Sequence, residues 1–261
     1  MIRINRIYNE DCIGEKGMCL IDDKSIDMIL CDLPYGMTAC KWDVIIPFEP
    51  LWEQYKRIIK DNGAIVLTAS QPFTSKLVMS NIDMFKYEWV WDKGAPSGHL
   101  LAKRMPLRRH ENIAVFYKKQ PIYNRQFTKK PLYQQRPNKY KKAEIRNTLT
   151  NKSVYGKIKH LYSTDNDDTV INPQSILKFD NPKGLAQKKR IHPTQKPVAL
   201  FEYLIKTYTN ENELVLDNCM GSGTTAEACI KNNRKFIGFE TEKKYYDIAN
   251  IRIKALQWRL F

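Results

Sequence analysis

Apolar residues fall along this chain in two rhythms, short unbroken runs and repeats at helical spacing. The run Ile26-Asp27-Met28-Ile29-Leu30-Cys31 predicts a buried strand that ends at Asp32, ahead of the turn formers Pro34 and Gly36. Phe48, Leu51, Trp52, Tyr55, Ile58 and Ile59 then share one face of a helix, with Asp61-Asn62-Gly63 as its stop. Ala64–Ala69 predicts a second strand, Pro72–Ser80 a helix, and Tyr87–Trp91 and Ile113–Tyr117 two further strands. The last part of the chain repeats the theme. A helix carrying Leu200, Phe201, Leu204, Ile205 and Tyr208 precedes a strand at Leu214–Leu216, a helix over Thr224–Lys231, a strand at Phe236–Phe239 and a closing helix over Tyr246–Leu256. Strands that alternate with helices predict an α/β fold, a Rossmann-like, doubly wound and mostly parallel sheet covered on both faces. Ligands of such sheets bind beyond the carboxyl ends of the strands, so chemistry is to be sought just after each strand.

Charge divides the chain further. Residues 1–117 carry 15 basic and 15 acidic side chains, residues 118–190 carry 18 and 5, and residues 191–261 carry 10 and 8. The middle segment, at +13, thus supplies nearly all of the net +15. It also interleaves its cations with Tyr123, Phe127, Tyr133, Tyr140, Tyr155 and Tyr162. Such a mixture suits a surface that neutralises phosphates and packs on sugars or unstacked bases; a solvated linker is the plainer reading of the same composition. Two core halves, 1–117 and 191–261, are therefore expected around a basic insertion over 118–190.

Several classes fall away. The longest apolar runs, such as Ala64-Ile65-Val66-Leu67, are far short of the ~20 residues of a membrane helix, and the first six residues lack the apolar core of a signal peptide. The six cysteines form no C-x-x-C pair, and the four histidines are never three or four residues apart, which argues against structural zinc. A soluble, cytoplasmic protein with reduced, mostly buried thiols is expected.

Three strand ends carry unusual residues. Asp217-Asn218-Cys219-Met220-Gly221-Ser222-Gly223-Thr224-Thr225 runs from a strand through a glycine turn into a helix, where backbone can approach a ligand at a positively polarised helix start. The next strand ends at Glu240, where an acid commonly accepts hydrogen bonds from ribose hydroxyls. No lysine follows Gly223, which argues against a phosphate-cradling P-loop, and a merely tight turn is the simpler alternative. Asp32-Leu33-Pro34-Tyr35 places a carboxylate, a backbone carbonyl and an aromatic ring in one turn, a set that can grip a planar amine; a proline turn with a core tyrosine would look the same. The third, Ile191-His192-Pro193-Thr194-Gln195-Lys196-Pro197, offers a cation, hydroxyl and amide, or is a plain linker.

Together, in this order, these segments resemble the β-group of DNA amino-methyltransferases, which act on N6 of adenine or N4 of cytosine with S-adenosylmethionine. The catalytic D-P-P-Y of that group is matched by Asp32-Leu33-Pro34-Tyr35, its D-P-F-M-G-S-G-T-T loop by Asp217–Thr225, its H-P-T-Q-K-P by His192–Pro197 and its R-R-H-E-N-I by Arg108–Ile113. Tyr8-Asn9-Glu10-Asp11-Cys12 is similar to its G-D-C cofactor segment, with Glu10 where glycine is usual. The resemblance covers residues 1–117 and about 175–261 and implies a class I methyltransferase fold with circularly permuted motif order. The insertion takes the place of the target-recognition region.

For the site, the resemblance implies catalysis by Asp32, Leu33, Pro34 and Tyr35. It implies cofactor binding by Asp11, Cys12, Asp32, Lys196, Asp217, Gly221, Ser222, Gly223, Thr224, Thr225 and Glu240, and no metal. Leu33 stands where the group has proline, but the group needed there is a backbone carbonyl. Asn218-Cys219 stands for Pro-Phe and removes an aromatic ring. Asp at the first catalytic position is the group's commoner choice for adenine, and N4-cytosine enzymes usually carry serine. Methylation of cytosine at C5 needs a nucleophilic cysteine, commonly in a Pro-Cys pair, which this chain lacks. The expected activity is therefore transfer to N6 of a flipped-out adenine in double-stranded DNA. N4-cytosine transfer, an RNA substrate and a DNA-binding protein with a decayed core are the alternatives. The recognised DNA word and homodimerisation are left open.

Overall fold

The protein is described here by a computed structural model covering residues 2–130, 169–181 and 195–258. In chain order its elements are β1 (Arg6–Tyr8), β2 (Ile26–Asp32), α1 (Phe48–Ile58), β3 (Ile59–Ala69), α2 (Phe73–Ser80), β4 (Phe85–Ser97), β5 (Arg108–Phe116), β6 (Thr128–Lys129), β7 (Val170–Ile171), β8 (Ile176–Lys178), α3 (Val198–Tyr208), β9 (Leu214–Asp217), α4 (Thr224–Lys231), β10 (Lys235–Phe239) and α5 (Lys243–Gln257). They fall into two compact units, one of residues 1–124 and 174–261, the other of residues 125–173. Most of the basic insertion, together with His192, Pro193 and Thr194, lies outside the described residues. Of the smaller unit, the described part is an antiparallel ribbon of β6 and β7, with the Arg125 guanidinium 4.9 Å from the centre of the Phe127 ring.

The larger unit is an eight-stranded sheet in the order β1-β10-β9-β2-β3-β5-β4-β8. Every neighbouring pair is parallel except the two that β5 makes with β3 and β4. Strand β2 shows why its apolar run is unbroken. Met28 and Leu30 pack on one face of the sheet with Leu200 and Leu204 of α3 and Ala228 of α4, while Ile29 and Cys31 pack on the other with Leu51 and Tyr55 of α1. All four strand residues are wholly buried, as a central parallel strand between two helical layers requires. The α/β sheet covered on both faces is thus as the pattern predicts.

Several boundaries differ. Asp61-Asn62-Gly63 does not end α1 but lies within β3, which begins at Ile59 directly after the helix. Ile26 pairs with Ile59 and Met28 with Ala64, so β3 carries three extra residues at a bulge. Glycine is needed there because a Cβ on Gly63 would sit 2.8 Å from the Asp27 carbonyl oxygen. Strands β4 and β5 both extend beyond their apolar runs, so Arg108–Asn112 is strand rather than loop. Edge strands β1 and β8 have one buried residue each, Ile7 and Leu177, too few for a pattern. All six cysteines are free, with Cys12, Cys31 and Cys229 buried. Among the described residues no helix is long and apolar enough to cross a membrane, and no cluster of side chains could hold a metal ion.

Candidate active site

Strands β2 and β9 lie side by side, yet the chain leaves β2 toward β3 on one side and β9 toward β10 on the other. Their following loops therefore splay apart, and a crevice is left at the carboxyl edge of the sheet. A cavity of about 810 Å³ occupies this place, with Asp32 at the end of β2, Asp217 at the end of β9 and Glu240 just beyond β10 on its walls. Asp11 and Cys12, after β1, reach the same cavity, as do Lys196, Gly221, Ser222, Thr224 and Thr225. The fold thus brings together residues that stand up to 229 positions apart, from Asp11 to Glu240.

The β9 loop is held by backbone donors and two carboxylates. Gly221 and Gly223 have φ of +53° and +83°, where a side chain would be strained, and a Cβ on Gly223 would lie 3.1 Å from that of Ala249 on α5. Glu240 accepts the Gly221 N–H at 2.7 Å and the Glu242 N–H at 2.8 Å, one on each oxygen. Burial pushes its carboxyl above the usual range despite these bonds. Asn9, which the sequence reading left without a role, donates to the Glu240 and Thr241 carbonyls at 2.7 and 3.0 Å and so ties the β1 end to this wall. Asp217 accepts the Cys219 N–H at 3.0 Å and the Thr225 hydroxyl. Burial pushes its carboxyl up to about 7.

The departures at 218 and 219 have a structural counterpart. Asn218 is buried and accepts the Tyr55 hydroxyl of α1, while its amide lies 3.5 Å from the sulfurs of Cys12 and Cys219. An asparagine here is satisfied by polar partners that a proline could not use. Burial drives the Cys12 and Cys31 thiols well above their ordinary range, so neither is suited to act as a nucleophile.

Around Asp32 the geometry is denser than the motif suggests. Lys196 Nζ lies 2.7 Å from both carboxylate oxygens, the Tyr35 hydroxyl donates to Oδ1 at 2.8 Å, and Thr68 donates to the same oxygen. Lys196 also lies 3.3 Å from Glu111, which pairs with Lys93 at 3.2 Å. Both lysines are almost fully buried. Burial pulls Lys196 down, but Asp32 and Glu111 outweigh it and hold the ammonium above its usual range. Tyr35 stacks on Phe73 at 5.2 Å, and burial with the Asp32 charge keeps its phenol protonated. Leu33 is 3% exposed, its side chain taken into the core below the turn. Thr68 and Glu111 received no role from the sequence. The signal for Thr68 is a polar residue near the end of the apolar run of β3, and that for Glu111 is its place in the Arg108–Ile113 segment.

Comparison with known proteins agrees with this geometry. A family model for DNA methylases of the N6/N4 kind matches residues 26–251, and the chain belongs to that family. The type II methyltransferase M.BglII of Bacillus subtilis is 31% identical over 94% of this chain and 68% of its own length. Among solved structures, the M1.HpyAVI complex with S-adenosylmethionine superposes with a TM-score of 0.58 at 26% identity, covering 95% of this chain and 98% of that one. PvuII DNA methyltransferase, a cytosine-N4-specific enzyme, shares the fold with a TM-score of 0.63 at 14% identity, over 94% of this chain and 85% of its own. The chain is a DNA methyltransferase with a class I fold, and S-adenosylmethionine is its cofactor.

Proposed function

We propose that this enzyme methylates N6 of an adenine flipped out of duplex DNA, and that Asp32 is the residue that grips the amine. The observation that carries this is the fixed, half-buried Asp32 carboxylate at the strand end, whose Oδ2 takes a bond from Lys196 alone among the described residues. That oxygen retains a lone pair for one amine N–H, and the Leu33 carbonyl takes the other. Two such bonds draw the nitrogen out of conjugation with the ring and fix the direction of its lone pair, so orientation and preset dipoles do most of the work. Tyr35, braced on Phe73, stacks on the base.

The cofactor pocket fits the same reading. Glu240, already fixed by two backbone donors, has lone pairs left for ribose hydroxyls, and the start of α4 at Ser222, Thr224 and Thr225 on the cavity wall would suit the methionine carboxylate, with Gly221 and Gly223 shaping the turn that leads to it. Asp217, on the same cavity wall, would hold the cationic end of the cofactor, and Asp11 and Cys12 would hold its adenine side. Bound S-adenosylmethionine supplies an electrophilic methyl group. Lys196 holds the Asp32 carboxylate in place through their 2.7 Å ion pair.

Mass spectrometry of DNA from a host expressing the protein is the test: N6-methyladenine is expected, and N4-methylcytosine or no methylated base overturns the reading. The basic insertion is assigned to target recognition on its charge of +13 over residues 118–190. Replacing residues 125–173 with a short linker is expected to weaken DNA binding and flatten its salt dependence, with S-adenosylmethionine affinity kept. An unchanged salt slope in a titration from low to physiological salt would remove that assignment.

A further inference from the structure

Strands β4 and β5 are joined by a tip, residues 98–107, that no part of the catalytic reading uses. It is closed by the pairing of Ser97 with Arg108, and both of these residues line the cavity. The tip therefore projects from the cavity wall. It is ordered by its own backbone: Leu101 N–H bonds the Gly98 carbonyl at 2.9 Å, and Arg104 and Met105 both bond the Leu101 carbonyl. On this small scaffold Leu100 is 102% exposed, Leu101 41% and Met105 45%. Three large apolar side chains held in water on a hydrogen-bonded turn cost stability and solubility unless something covers them. The residues beside them indicate the cover. Lys103, Arg104 and Arg108 have no ion-pair partner among the described residues, whereas neighbouring Arg109 is paired with Asp92 at 2.9 Å. Between Gly98 and His110 the chain has four Lys and Arg and no acid.

We propose that this tip enters the DNA, its free cations on the phosphates and Leu100 wedged into the space that the flipped base vacates. The proposal rests on the base-flipping reading above. Extruding a nucleotide costs stacking and pairing, and an apolar wedge that fills the gap recovers part of the lost stacking and slows return of the base. Leucine and methionine are among the side chains that fill base steps, and flanking cations supply the phosphate contacts that hold such a wedge in register. Leu100 touches neither amine nor cofactor in this scheme; it is a positioning residue.

The test is single-turnover methylation by the full-length protein on a duplex containing the word mapped from host DNA, with the target base either paired or mispaired. Leu100→Gln is expected to slow transfer on the order of tenfold on the paired duplex and by less than about twofold on the mispaired one, where extrusion is already cheap. Leu100→Met is expected to keep the wild-type rate, and S-adenosylmethionine affinity is expected to be unchanged in both variants. An equal loss on both duplexes, or no loss, overturns the wedge. A change of sedimentation coefficient in Leu100→Gln overturns it in favour of a contact between copies of the chain. If the wild type methylates cytosine, the adenine reading fails while the wedge is tested unchanged with cytosine as the mispaired base.

Discussion

Replacing Asp32 with alanine abolishes methyl transfer, a loss on the order of a thousandfold or more, and leaves S-adenosylmethionine affinity nearly intact. The expectation follows from what the carboxylate touches. Its partners are Tyr35, Thr68 and Lys196, and none of the β9 loop is among them. Removing a partner from a buried ion pair commonly strands a charge, but Lys196 still has Glu111 at 3.3 Å, so the fold survives the change. Asp32→Asn separates charge from shape: it keeps an oxygen for the amine, and a loss on the order of a hundredfold is expected. Isothermal calorimetry with the cofactor, beside single-turnover transfer, decides the matter. If cofactor affinity and transfer fall by the same factor in Asp32→Ala, Asp32 is a cofactor ligand and not the amine acceptor.

Lys196 explains why the site was only partly legible. The H-P-T-Q-K-P segment marks it, but nothing local says that its ammonium closes on a carboxylate 164 residues earlier. That contact depends on two strand ends and the start of α3 meeting at one edge of the sheet, which only the topology decides. Central strands such as β2 and β9 could be read because burial on both faces removes polar residues from the run. Arg108-Arg109-His110-Glu111 could not, because it extends β5 past the core, where side chains face the cavity or water and intrinsic propensity gives no strand signal. Asn218 is a third kind of case. Its departure from the family pattern was visible, but its meaning lies in Tyr55, a residue that helical spacing had already assigned to the core.

Asp217 yields the second large effect, on stability and binding together. Burial holds its carboxyl at about 7 in the folded protein, against ~3.9 in an unfolded chain. Between those values the folded state binds the proton more tightly, so stability is complete below pH ~4 and is lost as pH rises through 7. The full loss is about 4 kcal/mol at pH 8, and asparagine, which does not titrate, escapes it while still accepting the Cys219 N–H. Cofactor-free Asp217→Asn should therefore melt about 8–16 °C above the wild type at pH 8 and close to it at pH 4, as a thermal melt at each pH would show. A buried acid this costly is retained for a cationic ligand. Wild-type affinity for S-adenosylmethionine should accordingly rise with pH through 7, and Asp217→Asn should lose both the affinity and its pH dependence. A variant that melts higher at pH 8 yet binds the cofactor as the wild type does would make Asp217 a loop anchor for Thr225 and Cys219 alone.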